Sequence, residues 1–166
     1  IAGKFNHTYS KIFNLPEALI QNEISVPGID GRKMSKSYNN IIPFLCSEKD
    51  LQKAVSKIVT NSLEPGEPKD CNNCNLYELY SLFGNAEQIA SFKQAYSDGI
   101  SWGDAKKELF TVINSEIIPI REKYFELNAQ PDLLNDLFAD GARKVRPQAQ
   151  ELIEKLRDLV GISKIV

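Results

Sequence analysis

The chain is poor in the residues that build secreted scaffolds, membrane spans or charged coats. Three cysteines in 166 residues do not make a disulfide framework, and the odd count reads as free thiols. No apolar run approaches the ~20 residues needed to cross a bilayer. The stretch that opens at Ile1 also lacks the charged, apolar and small-residue zones of a signal peptide, so a cytoplasmic location is expected. Positive charge is not in excess either: the formal net charge is -2, which excludes a protein that coats nucleic acid by charge alone. Any nucleic-acid contact must be local. There is one histidine, His7.

What is present is an ordinary globular profile, 42% hydrophobic and 25% charged, enough for one domain or slightly more. Residues 1–13 read as the tail of an amphipathic helix, with Ile1, Phe5, Tyr9 and Ile12 spaced by three and four. Leu15-Pro16 stops it, residues 16–22 read as a short helical turn or extended piece, and residues 24–29 lead into a loop. The apolar run Ile41 to Cys46 contains Pro43, which permits an edge strand or a turn. Ser47 then caps a helix expected over about 48–60, carrying Leu51, Ala54, Val55, Ile58 and Val59. Residues 64–75 hold two prolines, a glycine and several Asx residues and read as a long surface loop. Further helices are expected over 76–83, over 86–96 opened by Asn85, and from Trp102 to Leu127, the last kinked or broken at Pro119 near Ile117 to Ile118. Pro131 suits a first helical position, and Asp140-Gly141 with Pro147 point to a second irregularity before 149–160. The fold class is therefore mainly α, with a helical bundle in the C-terminal two-thirds.

Lys33-Met34-Ser35-Lys36-Ser37 is the stretch with the most chemistry. It lies in Pro27-Gly28-Ile29-Asp30-Gly31-Arg32-Lys33-Met34-Ser35-Lys36-Ser37-Tyr38-Asn39-Asn40, where Pro-Gly, Asp-Gly and Asn-Asn argue against a continuous helix or strand. Exposed lysines on a loop ordinarily just solvate a surface. Two ammonium groups three residues apart can also follow a phosphate chain, with serine hydroxyls and loop amides adding donors. Such a loop suits attack of a carboxylate on the α-phosphate of ATP, where charge builds on the nonbridging oxygens and the departing pyrophosphate. Gly28 and Gly31 are candidate hinges for its closure.

These residues resemble the second signature of the class I aminoacyl-tRNA synthetases. The longer string through Ile42-Pro43 is similar to the version found in bacterial tryptophanyl-tRNA synthetases. Downstream strings in the same order extend the resemblance over roughly residues 1–161: Ile58-Val59-Thr60-Asn61-Ser62, Pro65-Gly66-Glu67-Pro68-Lys69-Asp70, and Asp98-Gly99-Ile100-Ser101-Trp102-Gly103-Asp104-Ala105-Lys106. The resemblance implies the C-terminal portion of such an enzyme. Residues 1–46 would be the end of a Rossmann-like α/β catalytic domain that carries the lysine loop, and residues 47–166 a helical anticodon-binding domain. Lys33 and Lys36 would act on the ATP phosphates as the catalytic pair, with Met34, Ser35 and Ser37 shaping the ATP-binding loop. The implied substrates are ATP with Mg2+, L-tryptophan and tRNA(Trp), and the implied parent is a homodimer.

Arg143, Lys144 and Arg146 place three cations in four positions, and Lys106-Lys107 adds a smaller cluster. Both patterns are ordinary for a solvated face; the resemblance points to a tRNA surface at the first. Cys71-Asn72-Asn73-Cys74 has metal-ligand spacing, but only Cys46 remains as a third thiolate, and family members with an iron–sulfur cluster near this region use four cysteines. No protein-bound metal is therefore expected. Trp102 reads as a packing anchor and His7 as a surface or packing residue.

Two other readings remain: a portion of a tyrosyl-tRNA synthetase, which shares the architecture, or a non-catalytic helical module that binds RNA. The intact lysine loop argues against the second, since a binding module has no use for a polyphosphate clamp. Class I enzymes also need a two-histidine signature, which a chain with His7 alone does not contain. The 166 residues are therefore expected to show no tryptophan-dependent ATP–pyrophosphate exchange, and a signal above background from the purified chain would refute that expectation.

Overall fold

A computed structural model describes residues 1–19 and 25–162; the 20–22 end of the expected 16–22 piece and residue 24 of the 24–29 lead-in fall outside them. Among the described residues six α-helices follow one another: α1 (Ala2–Thr8), α2 (Glu48–Ser56), α3 (Asn75–Phe83), α4 (Ala86–Ser97), α5 (Trp102–Asn128) and α6 (Pro131–Val160). A single 3-10 turn, Lys36–Tyr38, lies in the loop before α2. Among the described residues the only β-type pairing is an isolated antiparallel bridge between Pro27 and Lys33, so the chain is mainly helical.

Local chemistry explains where the helices begin. Ser47 Oγ accepts from the Asp50 backbone N–H at 3.1 Å and donates to the Asp50 carboxylate at 2.7 Å. This satisfies one of the four amides a helix start leaves unpaired. Asn85 and Gln88 form a reciprocal capping box at the start of α4, at 2.9 and 2.8 Å. Ser101 starts α5 as Ser47 starts α2: its Oγ accepts from the Asp104 N–H at 3.0 Å and donates to the Asp104 carboxylate at 2.6 Å.

The chain divides into two compact units. One, residues 24–126, contains the lysine loop and α2 to α4 with most of α5. Its core is Leu51, Val55 and Ile58, then Leu76, Leu79 and Tyr80, then Phe92 and Tyr96, closed by Ala105, Leu109, Val112, Ile113 and Ile117 of α5. Aromatic rings dominate its centre. Tyr80 stacks on Phe92 at 3.9 Å between centroids, and Tyr96 meets the edge of Trp102 at 5.8 Å. Ile29, Met34 and Ile42 reach this core from the loop side.

The other unit joins residues 1–23 to residues 127–166. Here α1 is shorter than its apolar spacing predicts. The Asn6 side chain accepts from the Ile12 and Phe13 backbone amides at 3.1 and 3.0 Å and donates to the Phe13 carbonyl at 2.8 Å. The chain therefore folds back instead of continuing the helix, and Phe13 lands edge-on against Phe5 at 5.2 Å.

Neither expected interruption ends a helix. α5 runs through Pro119 and α6 through Gly141 and Pro147. A mid-helix proline frees the carbonyl four residues earlier. Ser115 and Pro119 are both exposed, as are Arg143 and Pro147, so water can take those carbonyls. The apolar stripe of α5 also ends sooner than its spacing predicts: Ile117 is buried, but Ile120 and Tyr124 are exposed. The run Ile41 to Cys46 forms no strand; its residues 44–46 are bends.

Candidate functional site: an ordered lysine loop

The loop of residues 27–40 has almost no regular structure, so its backbone polar groups must find partners elsewhere. They find many of them within the loop or at its edge. Pro27 pairs with Lys33, the Gly28 N–H donates to the Arg32 carbonyl at 2.7 Å, and the Met34 N–H donates to the Val26 carbonyl at 2.9 Å. The Ile29 N–H donates to the Asn40 carbonyl at 2.9 Å, closing the loop at its base.

The Asn40 side chain fills the interior. Only 1% of this residue is exposed. Its Oδ1 accepts from the Ser35 N–H at 2.7 Å, and its Nδ2 donates to Asp30 Oδ1 at 2.7 Å, to the Lys33 carbonyl at 3.2 Å and, more weakly, to the Arg32 carbonyl at 3.4 Å. One amide thus ties together four other residues of the loop. A buried amide left unpaired would cost about 1–3 kcal/mol, so this satisfaction decides whether the loop has one conformation or many.

Asp30 carries the second layer. Its carboxylate takes Asn40 Nδ2, the Arg32 N–H at 3.1 Å and Arg32 Nε at 2.7 Å, with Arg32 Nη2 at 2.6 Å. The Asn40 hydrogen bond, followed by those of Arg32, holds the carboxyl below its ordinary value of 3.8. The Arg32 guanidinium also lies 4.6 Å from the centre of the Tyr38 ring.

The two glycines play different parts. A Cβ on Gly28 would sit 2.4 Å from Asn40 Cγ and Nδ2, so this position is glycine because the Asn40 amide lies against it. Gly31, at φ +82 with open space around it, turns the chain where most side chains would be strained. Outside the loop, Asn75 at the start of α3 donates through Nδ2 to the Gly28 carbonyl at 2.9 Å. The Val59 N–H, just past α2, donates to the Ile29 carbonyl at 2.8 Å.

Lys33 and Lys36 are exposed, and neither ammonium has a hydrogen bond or ion pair among the described residues. Of the three neighbouring cations, Arg32 alone is neutralised within the loop. Met34 packs on the core, Ser35 caps the 3-10 turn through Ser37 N–H, and the Ser35 and Ser37 hydroxyls are 2.8 Å apart. Asn39 closes the turn in the left-handed region at φ 52. The loop thus offers two unneutralised cations and two hydroxyls on an ordered backbone.

The other singled-out residues are dispersed. Arg143, Lys144 and Arg146 are all exposed on α6, where Arg143 is paired with Asp140. Lys106 donates to the Ser56 carbonyl at 3.0 Å and Lys107 pairs with Asp104 at 3.0 Å, so that cluster is used within the fold. Cys74 Sγ lies 3.6 Å from the Tyr96 hydroxyl, and burial pushes the Cys71 thiol up. No group of three or more His, Cys, Asp or Glu side chains able to hold a metal exists among the described residues. Trp102 donates from Nε1 to Asn61 at 3.1 Å, and His7 is exposed.

Sequence reasoning missed Asn40, Asp30 and Asn75. Asp30-Gly31 and Asn39-Asn40 read as turn punctuation, and the available signal was that the two polar pairs bracket the lysines.

A family model described as tRNA synthetases class I (W and Y) matches residues 1–117, and the chain belongs to that family. Curated relatives named tryptophan–tRNA ligase include that of Neisseria meningitidis serogroup A, 46% identical over 163 residues covering 98% of this chain and 48% of the relative. The Pseudomonas aeruginosa protein of the same name is 43% identical, covering 99% of this chain and 38% of that one. A crystal structure of tryptophanyl-tRNA synthetase from Campylobacter jejuni complexed with ADP and tryptophan superimposes with a TM-score of 0.83 at 39% identity, covering 96% of this chain and 51% of that one. The chain therefore spans about half, or less, of the length of these relatives.

The loop's dependence on Asp30 makes it sensitive to acid. A carboxyl whose folded value is depressed contributes order above 3.8 and loses it as pH falls through the lower folded value. Between about pH 5 and pH 2, the Ser35 amide resonance should move and lose exchange protection with a midpoint below 3.8, and Asp30→Asn should abolish that transition. A Ser35 amide that does not respond in this range would disprove the link.

Proposed function

We propose that this chain is the C-terminal portion of a tryptophan–tRNA ligase. The parent enzyme activates tryptophan with ATP and then charges tRNA(Trp). In the first step a tryptophan carboxylate oxygen bonds to the α-phosphorus of ATP, the bond from that phosphorus to the bridging oxygen breaks, and pyrophosphate leaves with its electron pair. Lys33 and Lys36 supply positive charge to the phosphate oxygens as that charge develops, which lowers the barrier only to the extent that the transition state is bound better than ATP itself. The observation that carries this reading is the pair of ammonium groups without partners among the described residues on an ordered loop, in a chain whose relatives carry that name. Mg2+ accompanies the nucleotide, bound chiefly through its phosphates, and the parent is read as a homodimer.

On this reading, residues 1–46 end a Rossmann-like catalytic domain and residues 47–166 bind the anticodon arm. The exchange reaction tests the loop. In the complete synthetase, Lys36→Ala is expected to lower kcat for tryptophan-dependent ATP–pyrophosphate exchange by about 100-fold or more, with tryptophan binding by fluorescence unchanged. Exchange within twofold of the parent would refute the clamp.

The exposed cations of α6 supply the tRNA reading, since phosphate contacts give affinity that falls with salt. Replacing Arg143 and Arg146 by alanine in the complete enzyme should weaken tRNA(Trp) binding and make log affinity fall less steeply with log salt. Unchanged affinity across the salt series would remove α6 from the tRNA surface.

A further inference from the structure

The lysine pair is not carried by a uniform flexible loop. The backbone from Lys33 to Ser35 is held on both sides: Lys33 bridges to Pro27 and gives its carbonyl to Asn40, the Met34 N–H is bonded to Val26, and the Ser35 N–H is bonded to Asn40 Oδ1. Met34 adds its packing against the core. The following turn is different. Lys36, Ser37, Tyr38 and Asn39 are exposed, and their hydrogen bonds stay within the turn: Ser37 N–H to Ser35 Oγ, Tyr38 N–H to the Ser35 carbonyl at 3.2 Å and Asn39 N–H to the Lys36 carbonyl at 3.1 Å. Among the described residues its one tie outward is the Tyr38 ring against Arg32.

We propose that Asn40 is the positioning residue of the clamp, its buried amide fixing the Lys33 backbone while Lys36 rides on an exposed turn that follows the phosphates. The proposal rests on the reading of the loop as an ATP clamp. Asn40 touches no substrate; it acts through the backbone that carries Lys33. A fixed cation placed before the reaction costs no reorganisation at the moment of charge transfer. A second cation on a mobile turn can track the pyrophosphate as it leaves. The surroundings of Asn40 make the first role possible: Nδ2 faces three acceptors and Oδ1 faces one donor, so only an amide in one orientation satisfies all four. Gly28 lies against that amide with no space for a side chain, so the amide can neither flip nor shift without disturbing the Gly28 to Arg32 arm.

Asn40→Asp is nearly isosteric, yet it sets a carboxylate oxygen against Asp30 Oδ1 and two carbonyls in place of a donor. In the complete synthetase it should lower kcat for ATP–pyrophosphate exchange by about 10- to 100-fold, the scale of a 1 Å misplacement, with KM for tryptophan unchanged and thermal unfolding still cooperative. Asn40→Ser, which removes the amide without adding charge, should show the same kcat loss. Asp30→Asn combined with Asn40→Asp exchanges donor and acceptor across their 2.7 Å contact and should recover part of the rate. In the 166-residue chain carrying Asn40→Ser, the Ser35 amide should exchange at least about 10-fold faster while amides inside α2 stay protected.

Four outcomes are informative. Local loss of Ser35 protection together with the kcat loss supports the proposal. If Lys36→Ala is impaired but Asn40→Asp and Asn40→Ser keep kcat within twofold, the clamp stands and the positioning role is overturned. It is equally overturned if protection falls throughout α2 along with Ser35, since Asn40 would then serve general stability. If Lys36→Ala itself exchanges normally, the ATP reading fails and the positioning role falls with it.

Discussion

Everything about the lysine loop depends on one buried amide being satisfied. A stretch with a single β-bridge and one 3-10 turn has no ladder to absorb its N–H and C=O groups, and water cannot reach those that face inward. Asn40 replaces the missing ladder. It is a side chain that can both accept and donate, and it does so toward residues at either end of the turn that holds the lysines. Asp30 accepts from Nδ2 and pairs with Arg32, so the carboxylate that meets the buried amide is matched by a cation of the same loop.

The core beneath makes that arrangement rigid. Ile29, Met34 and Ile42 pack against the same cluster that α2 to α5 build around Tyr80, Phe92 and Tyr96. Asn75 and the Val59 amide then bind the loop backbone at Gly28 and Ile29. The loop is thus anchored at its base by helix ends and at its middle by Met34, which leaves the Lys36 turn as the section with fewest ties. Lys69 has a comparable role in the connection before α3. It is 5% exposed and donates to the Glu64 and Glu67 carbonyls at 3.1 and 3.0 Å, with its ammonium 5.3 Å from the centre of the Trp102 ring. A buried cation organises that loop as a buried amide organises the other.

The parts of this structure legible in the sequence are those determined by neighbours in the chain. Ser47 and Asn85 mark helix starts because their side chains reach amides three residues on, and α2 to α4 begin within a residue of where these signals and the apolar spacing put them. The lysines stood out because their chemistry is local. What escaped was determined by exposure or by distant partners. Pro119 read as a kink or a break and Pro147 as part of an irregularity, but each lies at an exposed position where water can take the freed carbonyl, so α5 and α6 continue. Lys69 looks like any surface lysine until the carbonyls it binds are known. Asn40 is ten residues from Asp30, and neither residue differs in kind from ordinary turn residues. Asn75 meets Gly28 across 47 positions, a pairing no local pattern encodes.

The distribution of charge over the loop follows from the same economy of partners. Arg32, Lys33 and Lys36 would repel one another if all three faced the same small volume unpaired. Arg32 is removed from that competition by Asp30 and by the Tyr38 ring, and the guanidinium suits this because its planar fork can meet a carboxylate through two nitrogens at once. The two remaining cations are ammonium groups, compact charges on flexible stems that can adjust to a moving anion. A lysine in place of Arg32 would put a point charge where the guanidinium meets Asp30 through two nitrogens. The order Arg-Lys-Met-Ser-Lys therefore separates the three cations by their ties: one paired with Asp30 beside the turn, one on a backbone held by Asn40, and one on an exposed turn.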